Sequence, residues 1–192
     1  MKNYRAWLNA LERLKSGNTK FVNDNLNCKF QDSFRRNEVL DSQNPFAVIL
    51  TCSDSRIVPE LIFGTGIGEL FVIRVAGNVA NPSSIASIEY AVAHLGVKLI
   101  VVLGHQNCGA VTAALKGGNN GKNIDHLLNF IQPAISISDS KNIDDVSHMH
   151  AKLTAGKLMN DSSIISKTID NKALKIIPAY YSLETGQVDF LE

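Results

Sequence analysis

The sequence predicts an α/β fold: a mostly parallel central sheet flanked by helices. Across residues 46–115, short runs of β-type apolar residues without polar alternation take turns with helical patterns. Such runs are typical of strands covered on both faces, and their alternation with helices predicts parallel pairing. We expect one domain overall, with an N-terminal helical arm over residues 1–40, an α/β domain over residues 41–192 and a C-terminal strand hairpin.

Composition and charge exclude several classes of partner and location. The chain has 192 residues, of which 45% are hydrophobic, and a net charge of +1. A balanced charge gives no electrostatic basis for binding nucleic acid or an anionic membrane. No apolar run reaches the roughly 20 residues that span a bilayer, and the N-terminus lacks the apolar segment of a secretory signal. Three cysteines, an odd number, favour a reducing compartment, so we expect a cytoplasmic protein.

The first part of the chain predicts a helix and two strands. Residues 3–16 carry apolar side chains at helical spacing, and Gly17 is the expected end of this helix. Asn18 is a candidate cap for a second short helix. Residues 46–51 and 69–75 are rich in β-type apolar side chains and predict the first two strands.

The later part of the chain continues the strand–helix pattern and then becomes mainly helical. Asn81 followed by Pro82 predicts the start of a helix, because asparagine is favoured at the N-cap and proline at the first helical position. The remaining expected elements are a strand over residues 97–103, helices over residues 108–115, 124–138 and 143–168, and a hairpin of strands over residues 173–181 and 188–191.

Two of the predicted strands end in residues that can bind a metal. Cys52 follows the first strand, and His105 and Cys108 follow the third. Because ligands of open parallel sheets bind beyond the carboxyl ends of the strands, we expect these side chains to share one site. Zinc prefers thiolate and imidazole ligands, and three protein ligands leave a fourth position for water or substrate. A helix that begins at Cys108 would further stabilise its thiolate.

A carboxylate and a guanidinium lie close to the first cysteine. Asp54 and Arg56 come two and four residues after Cys52. Two thiolates formally neutralise a zinc ion and weaken it as a Lewis acid, so a catalytic site would need help from neighbouring groups. Asp54 could orient a zinc-bound hydroxide while Arg56 keeps it ionised. The spacing also fits a structural zinc site with Asp54 as fourth ligand, or two core cysteines beside an ordinary salt bridge.

Five short motifs, in this order and spacing, resemble the β-class carbonic anhydrases. They are Cys52-Ser-Asp-Ser-Arg56, Gly68-Glu-Leu-Phe-Val-Ile-Arg74, Ala76-Gly-Asn78, Ile88-Glu-Tyr-Ala-Val92 and Gly104-His-Gln-Asn-Cys-Gly109. The resemblance implies one zinc ion per chain, held by Cys52, His105 and Cys108. It also implies a zinc-bound hydroxide that converts carbon dioxide reversibly into bicarbonate and a proton. A dyad of Asp54 and Arg56 would orient this hydroxide.

The resemblance further implies a substrate pocket and an oligomer. Gln43 corresponds to the family's substrate-orienting glutamine, and the Gly109 backbone N–H to a donor in its substrate site. Phe71 and Tyr90 correspond to its apolar pocket wall. Because pocket residues in this family come partly from a neighbouring subunit, a homodimer or homotetramer with active sites near the interface is implied. The helix that carries Trp7 would then embrace the partner, although it could equally pack on its own domain.

One position departs from the pattern of a branch of this family, and two alternative functions remain open for the chain. Ile49 stands where one branch of the family has a tryptophan of a non-catalytic bicarbonate site, so we predict that this inhibitory site is absent. One alternative function is hydrolysis of a molecule that resembles carbon dioxide, such as carbonyl sulfide or carbon disulfide. The other is a zinc-stabilised binding or redox-sensing protein without turnover, against which Gln43, Asp54 and Arg56 argue.

The third cysteine and the remaining histidines are not assigned to the site. No histidine or second cysteine lies at ligand spacing around Cys28, so we expect a structural or surface thiol there. Four other histidines are expected at the surface: His94, His126, His148 and His150.

Overall fold

The centre of the fold is a five-stranded mixed sheet. The computed structural model describes residues 2–26 and 30–191, with side chains from residue 6 onward, so Cys28 lies outside the described residues. The order across the sheet is β2-β1-β3-β4-β5; the first four strands pair in parallel, and β5 pairs with β4 antiparallel. The expected mostly parallel sheet with a terminal hairpin is thus confirmed. The strands are β1 (Ala47–Thr51), β2 (Leu70–Arg74), β3 (Leu99–His105), β4 (Lys175–Tyr181) and β5 (Val188–Phe190).

Helices cover both faces of this sheet. Within the described part of the chain, none of them has the length and apolar composition that crossing a bilayer requires. A one-turn 3-10 helix, Ala76–Asn78, follows β2 and is called the Gly77 turn below. The α-helices are α1 (Lys2–Val22), α2 (Ser33–Glu38), α3 (Pro59–Ile62), α4 (Pro82–Ala93), α5 (Gly109–Lys116), α6 (Lys122–Asn129), α7 (Gln132–Ile137), α8 (Ile143–Asp161) and α9 (Ser163–Asp170).

The central strands are buried on both faces, as their apolar sequences predict. Neighbouring residues of β1 point to opposite sides, so that Ile49 joins one apolar cluster and Val48 the other. Side chains of α1 and α3 complete the first cluster, and side chains of α4, α8 and α9 complete the second. A third cluster surrounds Cys52 and Cys108 beyond the carboxyl ends of β1 and β3. The sheet therefore presents the two cysteines to an apolar layer.

Helix boundaries agree with the predictions where a cap marks them. At the start of α4, the Asn81 side chain accepts a hydrogen bond from the Ser84 N–H, and the Ser84 hydroxyl accepts one from the Asn81 N–H, at 2.9 and 2.8 Å. The long helix predicted over residues 143–168 is instead two helices. Ser162 separates them, because its hydroxyl accepts a hydrogen bond from the Ile165 N–H and so caps α9.

Gly17 does not end the first helix, so that prediction was wrong. The helix continues to Val22, and Gly17 lies where α1 crosses the end of α3. A Cβ atom at Gly17 would lie 1.8 Å from the carbonyl oxygen of Phe63. Glycine is therefore needed here for close backbone contact, not for a turn.

Asn18 is buried inside α1 and does not cap a second helix. Its amide group donates hydrogen bonds to the carbonyls of Ile62 and Gly186, at 3.2 and 2.8 Å. Its side-chain oxygen accepts a hydrogen bond from the Val188 N–H at 2.9 Å. One asparagine thus fastens the N-terminal helix both to α3 and to the C-terminal hairpin.

We expect Gly17→Ala to lower the free energy of unfolding by about 1–3 kcal/mol, because the added methyl group meets backbone that cannot rotate away. Chemical denaturation measures this change. The matched control is Gly156→Ala in α8, where no described heavy atom outside the chain neighbours and the helix backbone lies within 4 Å of the added carbon. That exchange should raise stability by up to about 1 kcal/mol through helix propensity. Equal effects of both exchanges would contradict the close contact.

Candidate metal centre

Three potential ligands from two strand ends and a helix start converge in the interior. Cys52 directly follows β1, His105 is the last residue of β3, and Cys108 is the N-cap of α5. Their sulfur and nitrogen atoms all lie within 4.8 Å of one another, and all three residues are buried. The structure thus brings together the three side chains that the sequence singles out. They are called the metal centre below.

The imidazole of His105 offers a free nitrogen to this centre. Its Nδ1 atom lies 2.9 Å from the carbonyl oxygen of Gln106. Because a carbonyl only accepts, Nδ1 carries the proton and Nε2 carries a lone pair. The Nε2 atom is buried and has no hydrogen-bond partner among the described residues. A buried nitrogen of this kind is costly unless a cation binds it, so the residue fits a metal ligand.

The two thiols shift each other's pKa in opposite directions. The Cys52 sulfur accepts backbone hydrogen bonds from the N–H groups of Asp54 and Gly77, at 3.4 and 3.3 Å. Chiefly through the hydrogen bond from the Cys108 thiol, the pKa of Cys52 is lowered to about 4. The same contact with the Cys52 thiolate, together with burial, raises the pKa of Cys108. A divalent cation that displaces the proton of Cys108 would leave two thiolate ligands.

Asp54 and Arg56 form a two-pronged ion pair beside the metal centre. The Arg56 Nε and Nη2 atoms lie 2.9 and 2.8 Å from the two carboxylate oxygens of Asp54. These bonds hold the pKa of the Asp54 carboxyl well below its usual range. The Arg56 side chain is 52% exposed and that of Asp54 only 17%. Asp54, two residues after Cys52, is thus the less exposed, ionised end of this pair, and Arg56 is its more exposed end.

The loop that carries this pair is braced from β2. Arg74 donates hydrogen bonds to the carbonyls of Cys52 and Asp54, at 3.2 and 2.6 Å. Sequence reasoning did not assign this role to Arg74. The parallel register of β1 and β2 indicates this role, because it places Arg74 opposite Thr51 at the end of β1. A polar residue at the carboxyl end of the neighbouring strand is within reach of the same loop.

Gly109 leaves room beside the metal centre. It is the first residue of α5, next to Cys108, and it is exposed. Apart from its chain neighbours and the backbone of α5, no heavy atom of the described residues lies within 4 Å of the position where its Cβ would be. Backbone N–H groups in the first turn of a helix lack partners within the helix. The position thus combines a donor with open space for a small molecule.

Three predicted pocket residues lie away from the metal centre of their own chain. Gln43 is exposed in the loop before β1. The five residues of β1, roughly 16 Å of extended chain, separate this loop from Cys52. Phe71 pairs with Val48 in the amino-terminal half of β1, and its ring lies 6.5 Å from that of Tyr90, which is 48% exposed. Within one chain these residues do not join the site.

His150 is not at the surface, so that prediction was wrong. It is 2% exposed, and its Nε2 atom lies 2.8 Å from the carbonyl oxygen of Gly77. The helical spacing of the buried residues Val146, Ala151 and His150 along α8 could have revealed this position. His94 and His126 are exposed, as predicted, whereas His148 is half-buried and stacks on Tyr180 at 3.7 Å.

Comparisons with known proteins agree with this geometry. The family model described as "Carbonic anhydrase" matches residues 47–188. The chain is 37% identical over 185 residues to "Carbonic anhydrase 2" of Mycobacterium tuberculosis, covering 93% of this chain and 89% of that protein. A tetrameric β-carbonic anhydrase from Sordaria macrospora has a TM-score of 0.73 at 28% identity, over 81% of this chain and 84% of that one. A Coccomyxa β-carbonic anhydrase in complex with acetazolamide has a TM-score of 0.75 at 26% identity, over 83% and 78%. The chain belongs to the β-carbonic anhydrase family.

Proposed function

We propose that this enzyme hydrates carbon dioxide reversibly to bicarbonate and a proton, with one zinc ion held by Cys52, His105 and Cys108. The observation that carries the proposal is the buried centre with its unpartnered His105 nitrogen, in a chain of this family. When bound, zinc supplies a Lewis acid that lowers the pKa of a water molecule and makes it nucleophilic near neutral pH. Cys52 and Cys108 form no disulfide bond, which suits a reducing compartment, and we place the enzyme in the cytoplasm.

Asp54 acts as the acceptor that aims the nucleophile. Its carboxylate is ionised at neutral pH because Arg56 holds it with two hydrogen bonds. An ionised carboxylate accepts the O–H of the attacking group and turns its lone pair towards the carbon of the substrate. A structural site with Asp54 as fourth ligand is less well supported, because the group of ligand atoms that lie within 4.8 Å of one another consists of Cys52, His105 and Cys108 without an Asp54 oxygen.

The substrate would lie beside Gly109. The exposed backbone there offers an N–H group and unfilled space, and carbon dioxide is small and linear with an accepting oxygen at each end. A hydrogen bond to one oxygen would favour the negative charge that develops on it as bicarbonate forms. We assign Gly109 to this role because its place in α5 directly follows the ligand Cys108.

A second copy of the chain completes the pocket. Gln43 lies in the loop before β1, Phe71 on the outer strand β2 and Tyr90 on α4, away from their own metal centre. We infer that they serve the site of a neighbouring subunit in a homodimer or homotetramer. Nearby apolar side chains support contact at this side, because Phe34 and Leu40 are 71% and 78% exposed. The relative from Sordaria macrospora is described as tetrameric.

The N-terminal arm is part of this proposed assembly. Its helix α1 already packs on its own sheet through Leu11 and Leu14, which are 2% and 0% exposed. Trp7, one turn before Leu11, is only partly buried against the same cluster. We propose that the outer side of this helix, in the arm over residues 1–40, contacts the partner while its inner side stays on residues 41–192.

Zinc content and carbon dioxide hydration should be lost together when a ligand is removed. We expect about one zinc per chain in the wild type and none in Cys52→Ser, because serine does not replace a thiolate on zinc. Elemental analysis and stopped-flow hydration on one sample measure both. The control is Cys28→Ser, the same exchange at the cysteine that sequence spacing places outside the site. Wild-type protein with a full zinc load and no hydration at any pH would favour a structural or sensing role, and carbonyl sulfide hydrolysis by that sample would favour the related hydrolase.

Asp54→Ala should retain zinc and lose hydration activity by about 100-fold or more, as expected when a proton acceptor is removed. The measurement is kcat by stopped flow, with zinc content determined in parallel. Asp189→Ala, at an exposed carboxylate on β5, is the control and should leave both quantities unchanged. Full activity in Asp54→Ala would show that the dyad does not aim the nucleophile.

Mixed oligomers test whether Gln43 serves the partner's site. Gln43→Ala and Asp54→Ala chains, each with its own tag, would be co-expressed and the hybrid purified through both tags. If each site combines Asp54 of one chain with Gln43 of the other, a hybrid dimer has one intact site and one doubly altered site. Hydration by the hybrid should then clearly exceed that of either parent homo-oligomer. A hybrid that only averages the parents would place both residues in the same chain's site.

A further inference from the structure

A buried contact links α8 to the metal centre through the Gly77 turn. The Nε2 atom of His150 lies 2.8 Å from the carbonyl oxygen of Gly77. The N–H of the same glycine lies 3.3 Å from the Cys52 sulfur and donates a hydrogen bond to it. Among the described hydrogen bonds, His150 thus makes none to a ligand residue, but it bonds to the glycine that does.

The direction of this contact is set by its chemistry. Burial lowers the pKa of His150 to about 4, so the ring is neutral at physiological pH. A carbonyl oxygen only accepts, so Nε2 carries the one ring proton and donates it to Gly77. Nδ1 is then a buried acceptor without a partner in the described part of the chain. An apolar side chain would avoid that unsatisfied atom, which makes a purely space-filling role a poor account of a histidine here.

The Gly77 turn is packed between α5 and His150. Gly77 has φ 66° and ψ 23°, in the left-handed region. A Cβ there would lie 3.1 Å from Cβ of Ala110 and from Cδ1 of Ile131. The turn is thus confined on one side by α5 and on the other by the bond to His150. A shift of this turn would change the distance between the Gly77 N–H and the Cys52 sulfur.

We propose that His150 is a positioning residue: it holds the Gly77 turn so that the Gly77 N–H donates to the Cys52 thiolate and reduces the charge this ligand gives to the zinc ion. The inference rests on the proposed zinc centre. Its chemical reason is that two thiolates largely neutralise the cation, and a hydrogen bond to a thiolate draws electron density back. The bond would therefore restore part of the Lewis acidity that hydration requires.

The test uses cadmium-113 in place of zinc, because a hydrogen bond from an amide to a metal-bound sulfur transmits scalar coupling between the amide proton and the cadmium nucleus. In the wild type, the amides of Gly77 and Asp54 should both couple through Cys52. In His150→Leu, the Gly77 coupling should disappear while the Asp54 coupling stays, since Asp54 donates to the same sulfur without His150. Zinc affinity, measured by competition with a chelator, should fall about 10-fold, because the released Gly77 turn no longer holds the Cys52 sulfur in place for the metal.

His150→Gln and Ser147→Ala are the matched controls. Glutamine can place an N–H group where Nε2 lies, so His150→Gln should keep the Gly77 coupling and most of the zinc affinity. Ser147 is another buried polar residue of α8, but its hydroxyl bonds to Ile143 of its own helix at 2.7 Å. Ser147→Ala should leave both cadmium couplings in place, because its hydroxyl does not contact the Gly77 turn.

The outcomes separate this inference from the function it rests on. A Gly77 coupling that persists in His150→Leu, or that is missing in the wild type, would overturn the positioning role. If His150→Leu does not fold, His150→Met takes its place, because methionine adapts more easily to a packed interior. If neither variant folds, His150→Gln decides: loss of the Gly77 coupling overturns the positioning role, and retention supports it. A wild-type chain that binds neither zinc nor cadmium would overturn the metal centre itself.

Discussion

The parallel pairing of β1 with β3 is the constraint on which the rest of the structure depends. It places Thr51 opposite Leu103, and the buried Thr51 hydroxyl donates a hydrogen bond to the Leu103 carbonyl at 2.9 Å. One residue beyond Thr51 the chain delivers a thiol, and two residues beyond Leu103 it delivers an imidazole. A slip of one residue would turn every side chain of β1 to the other face and separate the two ligands. The pairing of the two strands inside the sheet therefore fixes where the ligands Cys52 and His105 lie at the carboxyl ends of the strands.

The charges around the metal centre are arranged so that each is partly compensated by a neighbour. Two thiolates would offset a divalent cation, backbone N–H groups draw on the Cys52 sulfur, and Arg56 balances Asp54. The Asp54 N–H that donates to Cys52 and the ion pair of Asp54 with Arg56 both lie on the loop after β1. Arg74 braces that loop from the adjacent strand. The chemistry thus depends less on any one residue than on how rigidly the loop is held.

Local patterns predicted much of the fold and of the candidate site, but contacts between distant segments were beyond them. Strands and the Asn81 cap could be predicted because apolar runs and capping residues act over a few positions. Gly17 could not, since a glycine in a helical pattern indicates either an end or a close contact, and only the position of Phe63 decides. The distance between Gln43 and Cys52 likewise depends on the strand that separates them. His150 was wrongly predicted at the surface, because the prediction considered the polarity of histidine and not the buried face of α8, on which His150 lies.

The anchoring of α1 by Asn18 also bears on the order in which the chain can assemble during synthesis. All three residues of the metal centre have been made by residue 108, whereas the partners of Asn18 on the hairpin are 168 and 170 positions away in sequence. Contacts that close so long a loop form late, because the chain loses conformational entropy on loop closure before the contacts stabilise it. Helix α1, the earliest of the described helices along the chain, is thus among the last to find its full set of contacts, and the part of its apolar face that packs against the hairpin stays uncovered in the meantime. A nascent chain with such a face is a natural substrate for chaperones or for early pairing with another copy.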